Sequence, residues 1–388
     1  MIERILGSKL RKLASQFPVV TLTGPRQSGK STLVKSLFPD LPYLLLEDPD
    51  VRLLAQTDPR GFLANYSDGA IFDEVQQVPE LFSYLQGVVD AGNQSRPYIL
   101  TGSQNFLLMD NISQTLAGRT AVLRLLPLSL PELKQADKVP DSIEELLFKG
   151  GYPRLINRQI DPADFFPAYI QTYLERDVRS LKSIVDLSAF SRFLRLCAGR
   201  AGNILNLSAL ANDCGIAVNT AKAWLSVLEA SYVIFLLEPY HKSFNKRIIK
   251  SPKLFFYDTG LVCSLLGLRR ADLVETYYMR GALFENWVVG EVVKHFTNQG
   301  QRPPIYFWQD KTGREIDLLV ETNGNLIPIE IKAGQTMRPD YFGQLTYWNQ
   351  LSGNSSQNSF VVYGGNRRLA TKFGNYIPIA DITSILTD

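Results

Sequence analysis

Gly24-Pro25-Arg26-Gln27-Ser28-Gly29-Lys30-Ser31 decides how the chain is read. The stretch fits G-x-x-x-x-G-K-[ST], a loop whose backbone closes around phosphate. An apolar run from Phe17 to Leu22 precedes it and predicts a strand, and Ser31 to Leu37 predicts a helix that opens at the loop. That context is what the chemistry needs. The glycines let the backbone curl around an anion, and the amides at the helix start point at phosphate oxygens. Gly24, Pro25, Arg26, Gln27, Ser28, Gly29, Lys30, Ser31 and Thr32 are therefore the candidate nucleotide-binding segment. Lys30 is expected to reach the β- and γ-phosphates and Ser31 to offer its hydroxyl to Mg²⁺.

Downstream, Gly69-Ala70-Ile71-Phe72-Asp73-Glu74 reads as an apolar strand that ends in two acids. Asp73, at the strand's carboxyl end, is placed to hold Mg²⁺ together with Ser31. Glu74 is placed to orient or deprotonate an attacking water. Pro97 to Gln104 predicts another strand, with Ser103 and Gln104 as candidates to hydrogen-bond the γ-phosphate or the water. Arg119, between an alanine-glycine turn and a strand from Thr120 to Leu126, has two readings. It is an arginine finger for a neighbouring subunit's nucleotide, or it is an ion pair within its own domain. Glu74, Lys30, Ser103 and Arg119 are thus the candidate catalytic residues, with ATP and Mg²⁺ as cofactors. Alternating strands and helices predict a parallel sheet covered on both faces, with ligand at the strands' carboxyl ends.

A length of 388 residues allows two or three domains. The net charge of +3 is too weak to demand or exclude a nucleic-acid partner. Cys197, Cys214 and Cys263 show no zinc spacing or disulfide framework, which fits a reducing cytoplasm. His241 and His295 are the only histidines, so a histidine-based metal site is not expected. No stretch approaches the ~20 apolar residues of a membrane span, so no membrane partner is expected.

Residues 132 to 230 read as helical, punctuated by Gly150-Gly151-Tyr152-Pro153-Arg154. Arg154 or Arg176 could reach the nucleotide from a helical lid, although a solvated or paired arginine serves the pattern as well. Leu207 to Ile216 and Val218 to Leu228 predict a helix–turn–helix with Gly215 in the turn. Strands from Tyr232 to Leu237 and Leu254 to Tyr257 flank a basic loop, His241 to Arg247. This is a winged-helix layout, suited to DNA phosphates or to a protein partner; Lys222 is the only base on its second helix.

From Gly281 an amphipathic helix runs to His295, followed by strands Ile305 to Gln309, Glu315 to Val320 and Leu326 to Lys332. Glu330 and Lys332 share one strand face by the two-residue period. Glu285, Asp317, Glu330 and Lys332, ordered helix–strand–strand, can gather around one divalent ion, with the lysine near a scissile phosphate. Gln344, near Tyr347 and Trp348, is a further candidate for that pocket.

This ordered set resembles the PD-(D/E)xK restriction-endonuclease-like fold. The whole chain resembles prokaryotic AAA+-type P-loop ATPases that carry a C-terminal domain of unknown function. Gly24 to Ser31, Ala70 to Glu74 and Leu100-Thr101-Gly102-Ser103-Gln104 carry the first half of that resemblance. Thr172 to Val178, Phe256-Tyr257-Asp258-Thr259-Gly260-Leu261, Glu315-Ile316-Asp317 and Glu330-Ile331-Lys332 carry the second. The residue patterns and the resemblance together predict an α/β fold with four parts. These are an AAA+-like ATPase core over 1–135, a helical lid or linker over 136–200, a winged-helix-like segment over 201–272, and a nuclease-like α/β domain over 273–388. The resemblance also implies ATP binding and hydrolysis and a nuclease-like terminal module, while the carboxylates of the far site are themselves the candidates for a second divalent metal. DNA, a protein partner and a second copy of the chain are left open as partners. An ATP-regulated nuclease and a non-nuclease interaction switch are the competing functional readings.

Overall fold

Five short apolar strands build the first layer of the computed structural model, which describes residues 2–92, 96–103, 115–174, 186–241 and 249–386. They are β1 (Val19–Thr23), β2 (Tyr43–Leu45), β3 (Ile71–Asp73), β4 (Tyr98–Gly102) and β5 (Thr120–Arg124), in the order β2-β3-β4-β1-β5. Every neighbouring pair is parallel. The two-residue strand period sorts their side chains onto two faces. Val19, Phe72, Tyr98 and Leu100 join Phe62, Phe82 and Leu85 on one face. Val20, Leu22, Ile71 and Ile99 join Leu6, Leu10, Leu33 and Val34 on the other. Both faces are dry, as the parallel arrangement requires. The first strand begins and ends later than its apolar run suggests. Thr23 belongs to it because its carbonyl accepts the Leu125 amide at 2.8 Å.

Helices dominate from Leu130 to Ala230. The last three, Leu187–Ala198, Leu207–Cys214 and Val218–Ala230, begin after Asp186, Asn206 and Ala217. Asp186 and Asn206 cap their helices through their side chains. Gly215 turns the chain between the second and third at φ 72°, the left-handed conformation glycine adopts most readily. An antiparallel pair follows, β6 (Ile234–Leu237) with β7 (Lys253–Phe256).

The long helix Arg280–Asn298 then leads into a second sheet. Its strands are β8 (Ile305–Gln309), β9 (Glu315–Thr322), β10 (Asn325–Lys332), β11 (Phe360–Tyr363), β12 (Leu369–Thr371) and β13 (Gly374–Pro378), in the order β12-β13-β11-β10-β9-β8. β8, β9 and β10 form an antiparallel meander. The helix Gly343–Ser352 carries the chain back so that β11 runs parallel to β10. The sequence reading placed the meander and missed β11 to β13, whose runs are short and set among glycines and polar residues. One apolar core is continuous from Leu126 and Phe166, through Phe193 and Trp224, to Trp287, Val362 and Leu386. No described helix is long and apolar enough to cross a membrane. Gln104, Arg176 and the loop residues 242–247 lie outside the described residues.

Candidate active site

The phosphate loop leaves the carboxyl end of β1, which lies between β4 and β5 in the sheet. Gly24 sits at φ 146°, and a Cβ there would lie 2.2 Å from the Leu125 carbonyl oxygen, so only glycine fits. Gln27 and Gly29 also have positive φ. Lys30 opens the helix Lys30–Leu37, and its buried ammonium donates to the carbonyls of Gly24 and Pro25 at 2.8 and 2.9 Å. Arg4 braces the loop from behind. Its guanidinium donates to the Ser28 and Leu126 carbonyls, each at 2.6 Å, and pairs with buried Glu132 at 3.0 Å.

Asp73 and Glu74 lie at the end of β3, beside the loop. Asp73 accepts hydrogen bonds from the Tyr43 and Thr101 hydroxyls and from the Glu74 amide. The Tyr43 hydroxyl also engages Ser31, and burial together with Asp73 raises its pKa well above the usual phenol range. Glu74 is held in the left-handed region at φ 55°. Its Oε2 accepts from the Ser103 hydroxyl at 3.1 Å and from the Gln76 amide. The structure therefore brings Lys30, Ser31, Asp73, Glu74 and Ser103 together. Arg119 stands elsewhere, pairing with Asp90 through Nη2 at 3.0 Å on the surface.

A cleft of about 510 Å³ opens over this group. Arg26, Gln27, Gly29, Lys30, Ser31 and Thr32 form one wall and Glu74 stands at another. The third side comes from the helix Pro153–Arg158, through Pro153, Arg154, Asn157 and Arg158.

A second polar cluster lies between the long helix and the meander. Glu285 and Glu315 share the ammonium of Lys253, a β7 residue that is 4% exposed; the Glu285 contact is 3.0 Å. Lys332 pairs with Glu330 at 2.5 Å and stands 3.9 Å from Asp317, which accepts the Ile331 amide at 2.8 Å. Carboxylate oxygens of Glu285, Glu315 and Asp317 lie within 4.8 Å of one another, a set that could hold a cation. Burial pushes Glu285 up to about 7, against the pull of Lys253. Burial and Asp317 push Glu330 up to about 8. Burial lowers the Lys253 pKa, but Glu285, Glu315 and Asp317 more than offset it and hold the group above the ordinary lysine range. The four predicted residues are thus neighbours. Gln344 is exposed on the helix Gly343–Ser352.

Residues 16–134 match the family model described as an AAA domain. Residues 140–272 and 280–382 match two models described as domains of unknown function, DUF8612 and DUF4143. The uncharacterized protein Rv2008c of Mycobacterium tuberculosis is 30% identical over 338 residues, covering 86% of this chain and 74% of that protein. The chain belongs to its family. A further uncharacterized relative, MJ1544 of Methanocaldococcus jannaschii, is 22% identical over 350 residues, covering 82% of this chain and 76% of that one. Among solved structures, the Walker-type ATPase PABY2304 of Pyrococcus abyssi is similar at 18% identity with a TM-score of 0.48, covering 68% of this chain and 96% of that one.

The N-terminal part of this Rv2008c family member is an AAA-type P-loop ATPase domain. Sequence reasoning missed several residues of its two clusters. Tyr43 and Thr101 are bound to Asp73 from other strands, and no local pattern announces them. Glu315 could have been found, since it shares a face of β9 with Asp317. Lys253 could not, because the helix and sheet that surround it follow later in the chain.

Proposed function

We propose that the protein is a Mg²⁺-dependent ATPase that works on or near DNA through its C-terminal half. The observation that carries the reading is the single cleft lined by Lys30, Ser31 and Glu74, with Ser103 hydrogen-bonded to Glu74 at 3.1 Å. Its volume suits a nucleotide-sized ligand. Lys30, now held by the loop's own carbonyls, has the reach to turn to phosphate oxygens. Ser31 and Asp73 suit a hard cation, because both are oxygen donors and Tyr43 already bridges them. When bound there, Mg²⁺ supplies charge neutralisation at the phosphates. Glu74 takes the role of base, and Ser103 orients its carboxylate. The four segments 1–135, 136–200, 201–272 and 273–388 are the units we assign to this machine, with the winged-helix-like part as the DNA-facing unit. Arg119 acts as a finger only if a second copy draws it away from Asp90.

The expected outcome is that Lys30→Ala loses ATP binding while Glu74→Gln keeps binding and loses turnover. Purified Glu74→Gln that hydrolyses ATP at the wild-type rate would overturn the assignment of the base. Rates measured with and without duplex DNA test the second half of the proposal; an unchanged rate and no binding would point to a protein partner instead.

One observation favours a second reading, an ATP-regulated nuclease. The carboxylates of Glu285, Glu315 and Asp317 stand close enough to share a divalent ion, with Lys332 beside them. In that reading Lys253 must yield its place among the carboxylates. DNA cleavage in Mn²⁺ that disappears in Lys332→Ala would support it; cleavage undiminished in that variant would rule it out.

A further inference from the structure

A buried arginine that the catalytic reading does not use stands behind the phosphate loop. Arg4 is 8% exposed, and all three nitrogens of its guanidinium are engaged. Nη1 donates to the Ser28 carbonyl and Nη2 to the Leu126 carbonyl, each at 2.6 Å, and Nε donates to Glu132 at 3.0 Å. The Ser28 carbonyl and the Gly29 N–H belong to one peptide unit, and among the described residues no peptide bond is cis. In a trans peptide the carbonyl and the amide point in opposite directions. Pinning the Ser28 carbonyl on Arg4 therefore turns the Gly29 N–H away from the guanidinium, as a donor at the start of the helix Lys30–Leu37. Gly29 lines the cleft. The loop is also strained and incompletely satisfied. Gln27 holds φ at 63°, and among the described residues the buried Ser28 hydroxyl and Gln27 Oε1 have no hydrogen-bond partner. Such costs are carried where a ligand later repays them.

Glu132 passes the anchorage on. It is wholly buried and accepts, besides Arg4, the Ile5 amide at 2.9 Å, the Ser129 amide at 2.8 Å and the Ser129 hydroxyl at 3.0 Å. The long helix Arg280–Asn298 grips the same short stretch of chain. Its Glu291 accepts the Leu130 amide at 2.7 Å, and its Lys294 donates to the Leu128 carbonyl at 3.1 Å and pairs with Glu291 at 2.9 Å. Four buried charges thus lead from the phosphate loop to the long helix, with only residues 128–130 between the two pairs. A buried ion pair adds little net stability, because desolvation cancels most of its attraction. What these pairs fix is direction, since each charged group holds a particular backbone atom. The same helix carries Glu285 of the second polar cluster.

We propose that Arg4 is a positioning residue for nucleotide binding, which aims the Gly29 amide at phosphate, and that Glu291 and Lys294 set its place, so that nucleotide affinity and the seating of the long helix are coupled. The proposal rests on the ATP reading above. It acts through the loop, and so through phosphates that ATP and ADP share. Coupling of this kind is reciprocal. A seated helix tightens the cleft, and a filled cleft tightens residues 128–130 and the helix.

The test uses the full chain with Mg²⁺ and either ATPγS or ADP, by calorimetry and by amide hydrogen exchange. Arg4→Lys keeps the charge and loses the fork that holds two carbonyls, so it should weaken both ligands about tenfold. Glu291→Gln, on the long helix, should weaken both about threefold. In the Arg4→Lys background it should add nothing further, whereas an independent structural role would multiply the two losses. In the wild type, ATPγS should slow exchange over residues 126–132 and 286–298. In Arg4→Lys saturated with ATPγS that slowing should be lost, while residues 24–32 keep theirs. The wild-type exchange measurement needs no variant to fold. Unchanged affinity in Arg4→Lys, or no slowing over 286–298 in the wild type, overturns the proposal and leaves the ATP reading standing. A wild-type chain that binds neither ligand overturns both.

Discussion

Tyr43 shows what a single hydroxyl does at the centre of the cleft. It bridges Ser31 and Asp73, the two groups expected to hold Mg²⁺, and so competes with the ion for Asp73. Tyr43→Phe removes that competitor and keeps the ring, which also packs under the Lys35 ammonium. The expected result is a few-fold lower Mg²⁺ concentration at half-maximal ATPase rate, read from a magnesium titration at fixed ATP. A higher requirement would mean that Tyr43 orients Asp73 for the ion. At this scale the phosphate loop and the paired acids were legible from residue type and spacing. Ser103 was legible as a site residue, though not as the partner of Glu74; Tyr43 and Thr101 were not, because they reach Asp73 from strands far away in sequence.

Among elements, β7 is the one whose position changes the reading. It was expected as part of a wing, and it does pair with β6. Yet its first residue, Lys253, is buried between Glu285 of the long helix and Glu315 of β9. Removing one partner of a buried ion pair leaves charge without compensation, at a cost of about 3–5 kcal/mol. Lys253→Met is expected to destabilise the chain by that order, and Lys253→Met with Glu315→Gln by less. Urea unfolding of the three proteins measures it; a Lys253→Met variant as stable as the parent would show that the cluster is neutral without its lysine. The alternating pattern of β9 and β10 made Asp317, Glu330 and Lys332 readable, since period two places side chains by count alone. The occupant of the cluster was not readable, since no count relates residue 253 to residue 315.

From Leu126 onward the molecule is tied together by one large core, and a few polar stitches join it to the first sheet and its own elements to each other. Tyr232, which precedes β6, donates its hydroxyl to Thr23 at 2.7 Å, at the root of the phosphate loop. Arg280 of the long helix pairs with Glu144 at 2.8 Å. The apolar core passes without a break from the segment after β5 to the last described turn. A chain cut after residue 272 would expose Leu133, Phe256 and Val262 to water, having lost the helix and sheet that cover them. Such a fragment is expected to aggregate, and light scattering of the soluble fraction checks this. A soluble, folded fragment would mean that the middle segment closes its own core.

Taken by itself, the sequence determined the order of the main elements as far as β10, the phosphate loop with its acids, and the acidic strand pattern near the end. Each of those is local: a period, a spacing, or a glycine that a turn demands. Only the tertiary structure decided which distant groups meet. It set Arg119 on Asp90, Lys253 among the carboxylates, and Arg4 against the Ser28 carbonyl of the phosphate loop. Such pairings depend on how the sheets and helices pack, and packing is decided by buried apolar area summed over the whole chain, which no short motif contains.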